Sequence, residues 1–288
     1  MGSIHGYARD VNESAKVPEA STICVRSHDP AWPLLCEGCG YVIEGLPRNN
    51  VCPECGRSIE SSLPEARIGT IWQRADNPGW REASQTMRAM LWKPRATFDS
   101  ALIDDHRSWD LLAWCAMDAS LLSVLPVVSL WVSALLSRSA ELMMGAIFFT
   151  TFFVVVGWVI QALIILLLCR VERIGMLFIG ARHGWRIDRT ASRVVCAHAA
   201  MGWLTGGVLV SLSFTVLITV LVTTFVMGLD DPRWLPSAFV VAYFGSWLLG
   251  LLHFESLVYL GMRRCRYANR PPPRSDVSPS PVTGAASS

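Results

Sequence analysis

Charge is what this sequence lacks over most of its second half. Asp, Glu, Lys and Arg make up 17% of the 288 residues. They crowd before Asp110, between Arg170 and Arg193, and after Gly261. A soluble domain spreads charge along each helix, so this segregation points to membrane spans and away from a soluble helical core. Catalytic signatures are also missing. No P-loop, G-x-S-x-G, H-E-x-x-H or dinucleotide fingerprint occurs, which ranks a lipid-processing enzyme last among the functional classes. No secretory leader is evident: residues 1–30 carry Asp10, Glu13, Lys16 and Glu19 and no apolar run, so the N-terminal side is expected to stay inside. A strong net charge is absent too, at +2, and gives no electrostatic footprint for nucleic acid.

Four apolar stretches are present, about Leu111–Leu136, Leu142–Cys169, Val194–Met227 and Leu235–Met262. Each exceeds the roughly 20 residues needed to cross a hydrocarbon core. Basic residues orient them. Twelve precede the first span, six lie in the second loop and five follow the last span, against one each in the first and third loops. The positive-inside rule then puts both termini in the cytoplasm, with the spans in the inner membrane.

The strongest motif is Cys36-Glu-Gly-Cys39-Gly-Tyr41, followed after twelve intervening residues by Cys52-Pro-Glu-Cys55-Gly56. Two C-x-x-C pairs at this spacing suit one tetrahedral Zn²⁺ with a closed coordination sphere, a structural site. A rubredoxin-like iron site would use the same four thiolates, and a thioredoxin-type redox pair is a further reading. Val42, Ile43, Leu46, Val51 and Ile59 are too few to fold a domain without a metal. From Cys36 to Glu60, four glutamates face two arginines. That acidic balance favours a protein partner for the ribbon over nucleic acid. The other cysteines, Cys24, Cys115, Cys169, Cys196 and Cys265, are expected as small packed residues.

The string CEGCGYVIEGLPRNNVCPECGRSI resembles the N-terminal ribbon of a group of bacterial multi-span membrane proteins. Their pattern runs C-x-x-C-G-Y-x-L-x-G-L, then C-P-E-C-G; Ile43 stands where it usually has Leu. The resemblance implies zinc at Cys36, Cys39, Cys52 and Cys55, and no particular activity. The multi-span half is similar in layout to the Yip family of membrane-trafficking scaffolds.

The predicted fold class is therefore an all-α membrane protein, a four-helix transmembrane bundle carrying a small ribbon of short β-hairpins. Its parts are a disordered N-terminus over 1–30, the ribbon over 31–60, a linker with two membrane-surface helices over 61–110, the spans over 111–262 and a disordered tail over 263–288. The second loop, Arg170–Arg193, reads as an amphipathic segment for anionic lipid or for an acidic partner such as the ribbon.

Inside the spans stand Asp118, Gln161, His198, His253 and Glu255. At 1.5 Å per residue, all lie about 8–15 Å from the inner end of their span. One reading is a cluster that conducts protons or holds a cation; the other is a set of interhelical hydrogen bonds that fix the packing. His253 and Glu255 point about 200° apart on one helix, which favours the second. Gly202-x-x-x-Gly206 and the four-residue repeat Gly207, Ser211, Thr215, Thr219, Thr223 on the third span, with Ala242, Ser246 and Gly250 on the fourth, predict close packing of these two helices. The leading functional expectation is a scaffold that presents the ribbon to proteins. The alternative is a small transporter or channel using Asp118, His198 and Glu255.

Overall fold

Residues 24–27, 32–104, 107–135, 140–227 and 233–271 are described in the computed structural model. The disorder expected over 1–23 and 272–288 lies outside the described residues.

Helices dominate because the apolar runs can satisfy their backbone groups only internally. A short α1 (Ile71–Arg74) starts on a capping box, Thr70 with Gln73. It is followed by α2 (Trp80–Trp92) and α3 (Pro94–Ser100), divided where Pro94 opens a new helix. The long helices are α4 (Ser108–Leu135), α5 (Ala140–Arg182), the pair α6 (Arg189–Ala199) and α7 (Met201–Val226), and α8 (Leu235–Cys265). Four stretches are long and apolar enough to cross a membrane: Ser108–Pro126, Val154–Arg182, Arg189–Thr224 and Leu235–Cys265.

The boundaries depart from expectation in two places. First, the second loop is mostly helix. α5 runs on to Arg182, and only residues 183–188 link it to α6. Its 43 residues extend about 64 Å, far beyond a 30 Å hydrocarbon core. Helix propagation costs little once a span has nucleated it, so charge at Arg170 and Arg173 does not end the helix. Second, a single turn at Ala200 divides the third stretch into α6 and α7.

α7 packs most extensively on α8, then on α4. The reason is glycine. A Cβ on Gly202 would stand 2.2 Å from the Phe254 backbone nitrogen, and one on Gly250 would stand 2.7 Å from Gly206 Cα. Gly207 instead serves α4, where a Cβ would meet the Ala119 carbonyl oxygen at 2.4 Å. The expected stripe therefore stops early. Thr215, Thr219 and Thr223 are exposed, and their hydroxyls donate to the carbonyls four residues back. Ser246 is buried on α8, as a packing residue should be.

The connecting region closes one end of the bundle. Ala83, Met87, Met90 and Phe98 join the same core as Val194, Val195, Phe254 and Met262. Trp80, Trp92 and Trp109 stay exposed around it. Cys115, Cys169, Cys196 and Cys265 are buried in this core, and Cys24 is exposed.

Candidate metal centre and its clamp

Where short hairpins are expected, the ribbon has no strands among the described residues. It makes three single antiparallel bridges, Cys24 with Pro47, Leu35 with Val42, and Val51 with Ser58. The tight knuckles leave too few consecutive residues for a ladder. Each knuckle repeats one backbone pattern. The Gly40 N–H donates to Cys36 O at 2.8 Å and the Cys36 N–H to Tyr41 O at 2.8 Å. The Gly56 N–H donates to Cys52 O at 2.9 Å and the Cys52 N–H to Arg57 O at 2.8 Å. Gly40 and Gly56 have φ of 85° and 71°, the left-handed region that a side chain resists.

The knuckles bring Cys36, Cys39, Cys52 and Cys55 together, with their sulfurs all within 4.8 Å of one another. Cys36 and Cys55 Sγ are 3.5 Å apart, and Cys39 and Cys52 Sγ 3.6 Å. A tetrahedron with metal–sulfur bonds of about 2.3 Å has edges of about 3.8 Å, so the quartet fits one ion. Burial pushes the Cys39 thiol up to about 12, helped by the neighbouring sulfurs. Burial acts the same way on Cys52, but the amides of Cys55 and Glu54 and the adjoining thiols bring it down to about 7. Four sulfurs this close cannot all ionise without a cation between them.

Beneath the site, Ile43, Ile59, Leu34, Leu63 and Val25 form a miniature core. Val42 and Val51 do not belong to it; they are 49% and 52% exposed, beside Tyr41 at 40%.

The ribbon is clamped to the bundle. Arg67, 3% exposed, donates through Nε and Nη2 to the Glu37 carboxylate at 2.7 and 3.1 Å. Its Nη1 donates to Phe98 O and Ala101 O at 2.8 and 3.0 Å, and Nη2 also donates to Arg264 O at 3.3 Å. One guanidinium thus pairs with the ribbon while capping the C-terminal ends of α3 and α8, where carbonyls lack partners. Asn269, fully buried, accepts from the Leu35 N–H at 3.0 Å and donates to Leu35 O and Ser62 O at 2.7 and 2.6 Å. Arg266 donates to Gly38 O at 2.6 Å, and Tyr267 lies against Gly40. On the other side Arg186 donates to Pro33 O at 2.7 Å, and its guanidinium sits 3.7 Å above the Trp32 ring. Arg270 stacks on the same ring at 4.3 Å and pairs with Asp188. Burial, with the Arg270 charge next, pulls Arg186 down to about 10, still cationic at neutral pH.

Residues 263–271, expected as the start of a disordered tail, are therefore corrected. α8 continues to Cys265, and Arg266, Tyr267, Asn269 and Arg270 hold the ribbon. Neither Arg67, Glu37 nor Asn269 carried a local signal. A lone basic, acidic or amide residue in a loop looks like solvated surface, and the partners are up to 234 residues apart.

The intramembrane polar residues do not bond to one another but go to separate surroundings. Gln161 joins Ser123 of α4 at 2.6 Å and Tyr243 of α8 at 3.3 Å. His253 meets Thr205 of α7 at 2.9 Å, whereas Glu255 lies close enough to Glu172 of α5 for the two carboxyls to interact. His198 is buried, its Nδ1 on Val194 O at 2.8 Å and its Nε2 on Thr70 Oγ1 at 3.2 Å. Asp118 is half-buried on α4 and bonds to none of the other four. The similar depths do not bring these groups into one cluster. What the site offers chemically is a quartet of cysteine sulfurs that could hold one metal ion, seated on the helical bundle. Comparison of the chain with family models, with curated proteins and with solved structures finds no match.

Proposed function

We propose that this integral membrane protein is a scaffold that holds a zinc ribbon rigidly at the cytoplasmic face of the inner membrane, as a docking module for another protein. The observation that carries the reading is the clamp. A buried Arg67–Glu37 pair and a buried Asn269 hold the ribbon in one orientation, while Tyr41, Val42 and Val51 stay exposed along its edge. A ribbon serving only to cap the bundle would turn that apolar edge inward. The ribbon, the link after α5 and the end of α8 meet on one side of the bundle, the side that the basic residues assign to the cytoplasm. The acidic balance of the ribbon favours protein over nucleic acid. Zinc is the ion we assign to the thiolate quartet, with a structural role. The transporter reading is less favoured, because Asp118, His198 and Glu255 are not brought together: His198 bonds to Thr70 and Val194, and Glu255 lies by Glu172.

The test places a photo-crosslinking amino acid at Val42 in native membranes. Protein adducts are expected, and they should vanish in the Cys36→Ser/Cys52→Ser variant. Adducts that persist in that variant, or crosslinks to lipid alone, would refute the docking role. Metal analysis of the purified protein separates zinc from iron.

A further inference from the structure

A cavity of about 520 Å³ opens between α5, α7 and α8, within the membrane-spanning stretches. Its walls include Trp203, Tyr243, Phe244 and Trp247, with Gln161 and the bare face of Gly157. The volume falls in the range of small-molecule sites, roughly 300–1,000 Å³. Phe244 and Leu248 on its rim are 67% and 56% exposed, so the opening faces the lipid.

The lining is not uniformly apolar. Ser123 Oγ donates to Ser120 O at 2.7 Å and also touches Gln161 Oε1 at 2.6 Å. Gln161 Nε2 meets Tyr243 Oη at 3.3 Å. These side chains hold four donor hydrogens, one on Ser123, two on Gln161 and one on Tyr243. In this arrangement the single Ser123 hydrogen serves both Ser120 O and Gln161 Oε1, and one Gln161 hydrogen goes to Tyr243 Oη; the second Gln161 hydrogen and the Tyr243 hydroxyl hydrogen have no acceptor among the described residues. With the amide turned, one Gln161 hydrogen is still left over. The indole nitrogens of Trp203 and Trp247 are buried and have no hydrogen-bond partner among the described residues. An unmatched donor is costly in hydrocarbon, where no water can answer it.

Depth restricts what can. Tyr243 stands ten residues from Arg233 and twenty from Arg263, the charged residues at the two ends of the α8 span, so it is at least about 15 Å from either. That is half of a hydrocarbon core. Bilayer glycerolipids carry their ester oxygens at the edge of that core and offer only alkyl chain at its centre. The acceptor must travel inward on an apolar body, and the aromatic walls suit a flat ring.

We propose that this cavity binds an isoprenoid quinone, its ring between the aromatic walls and one carbonyl oxygen accepting from the Gln161–Tyr243 pair. The site takes no part in the metal centre and is independent of the docking role.

The experiment titrates decylubiquinone into the full-length protein in phosphatidylcholine nanodiscs and follows quenching of tryptophan emission. Saturable binding is expected. Gln161→Leu with Tyr243→Phe removes the donors and should weaken it roughly tenfold, the value of one hydrogen bond. Gly157→Leu should abolish it. A Cβ there meets no atom within 4 Å, so the added side chain has open space to enter on the wall of the cavity. Decylbenzene, with the same chain and no carbonyl, should bind no better to wild type than to the donor-less variant. Quenching that never saturates, that is the same in Gly157→Leu, or that ignores the loss of both donors would overturn the proposal. So would displacement by added phosphatidylglycerol at equal molar ratio, which would identify the occupant as ordinary bilayer lipid.

Discussion

Replacing Arg67 by Met should release the ribbon from the bundle while leaving both intact. All five N–H groups of Arg67 are used, two on the Glu37 carboxylate and three on the carbonyls of Phe98, Ala101 and Arg264. Met fills much of the volume but answers none of these acceptors. Glu37, 8% exposed, would be left as an uncompensated buried charge. Breaking a buried pair from one side costs about 3–5 kcal/mol. The double variant Glu37→Met/Arg67→Met removes the stranded charge and leaves three carbonyls short, at roughly 1 kcal/mol each. It should therefore recover part of the loss. Arg67→Lys, with three donors and no fork, should fall between. Hydrogen exchange at the Leu35 amide reads the clamp directly, because that N–H is bonded to Asn269 across the junction. A loss of 3–5 kcal/mol accelerates its exchange by about two to three and a half orders of magnitude if undocking is the opening event. Unchanged Leu35 protection in Arg67→Met, or a double variant worse than either single one, would refute the clamp.

Stripping the metal with a chelator, or changing Cys36 and Cys52 to Ser, should melt the ribbon and leave the helix content nearly unchanged; circular dichroism with limited proteolysis near residues 40–58 checks both at once. Because coordination needs thiolates, metal affinity should fall as pH is lowered from 8 to 5, read by competition with a chromogenic chelator; a flat profile would argue against thiolate ligation. Gly202→Ala puts a methyl against the Phe254 backbone and should cost roughly 1–3 kcal/mol in thermal stability of the detergent-solubilised protein. Gly157→Ala, into open space, should gain up to about 1 kcal/mol from helix propensity, and equal effects at the two sites would contradict the packing described. Thr70→Val removes the partner of buried His198 and should destabilise the connecting region by about 1–3 kcal/mol, seen as faster exchange of α1 and α2 amides.

Much of the architecture was legible from length and spacing. A stretch such as Leu235–Met262 has one stable fate in a bilayer, and the observed α8 differs from it by three residues at one end. Two C-x-x-C pairs converge because their geometry around an ion is local, and Gly40 and Gly56 announce the turns. Packing partners were harder. Small residues at four-residue intervals mark a face and leave open which helix meets it. Gly202 and Gly250 lie between α7 and α8, Gly207 lies against α4, and Thr215, Thr219 and Thr223 are exposed. Equal depth was likewise no guide to proximity for Asp118, Gln161, His198, His253 and Glu255, because depth leaves rotation about each helix undetermined. Least legible was the clamp. Its strength lies in three-dimensional coincidence of Glu37, Arg67 and Asn269, each unremarkable beside its own neighbours.

The clamp also imposes an order in time. The ribbon is synthesised early, whereas Arg264, Arg266 and Asn269 follow some 230 residues later, a separation of 234 for the Leu35–Asn269 bond. At roughly 5–20 residues per second, the finished ribbon waits on the order of ten to fifty seconds for its seat. During that interval its docking surface, including the Glu37 carboxylate, is open to water and to chaperones. It closes only when α8 has reached its place. A ribbon seated on the bundle is thus a record that α8 has been inserted, and a quality-control protease that recognises the open surface would remove chains stalled short of α8.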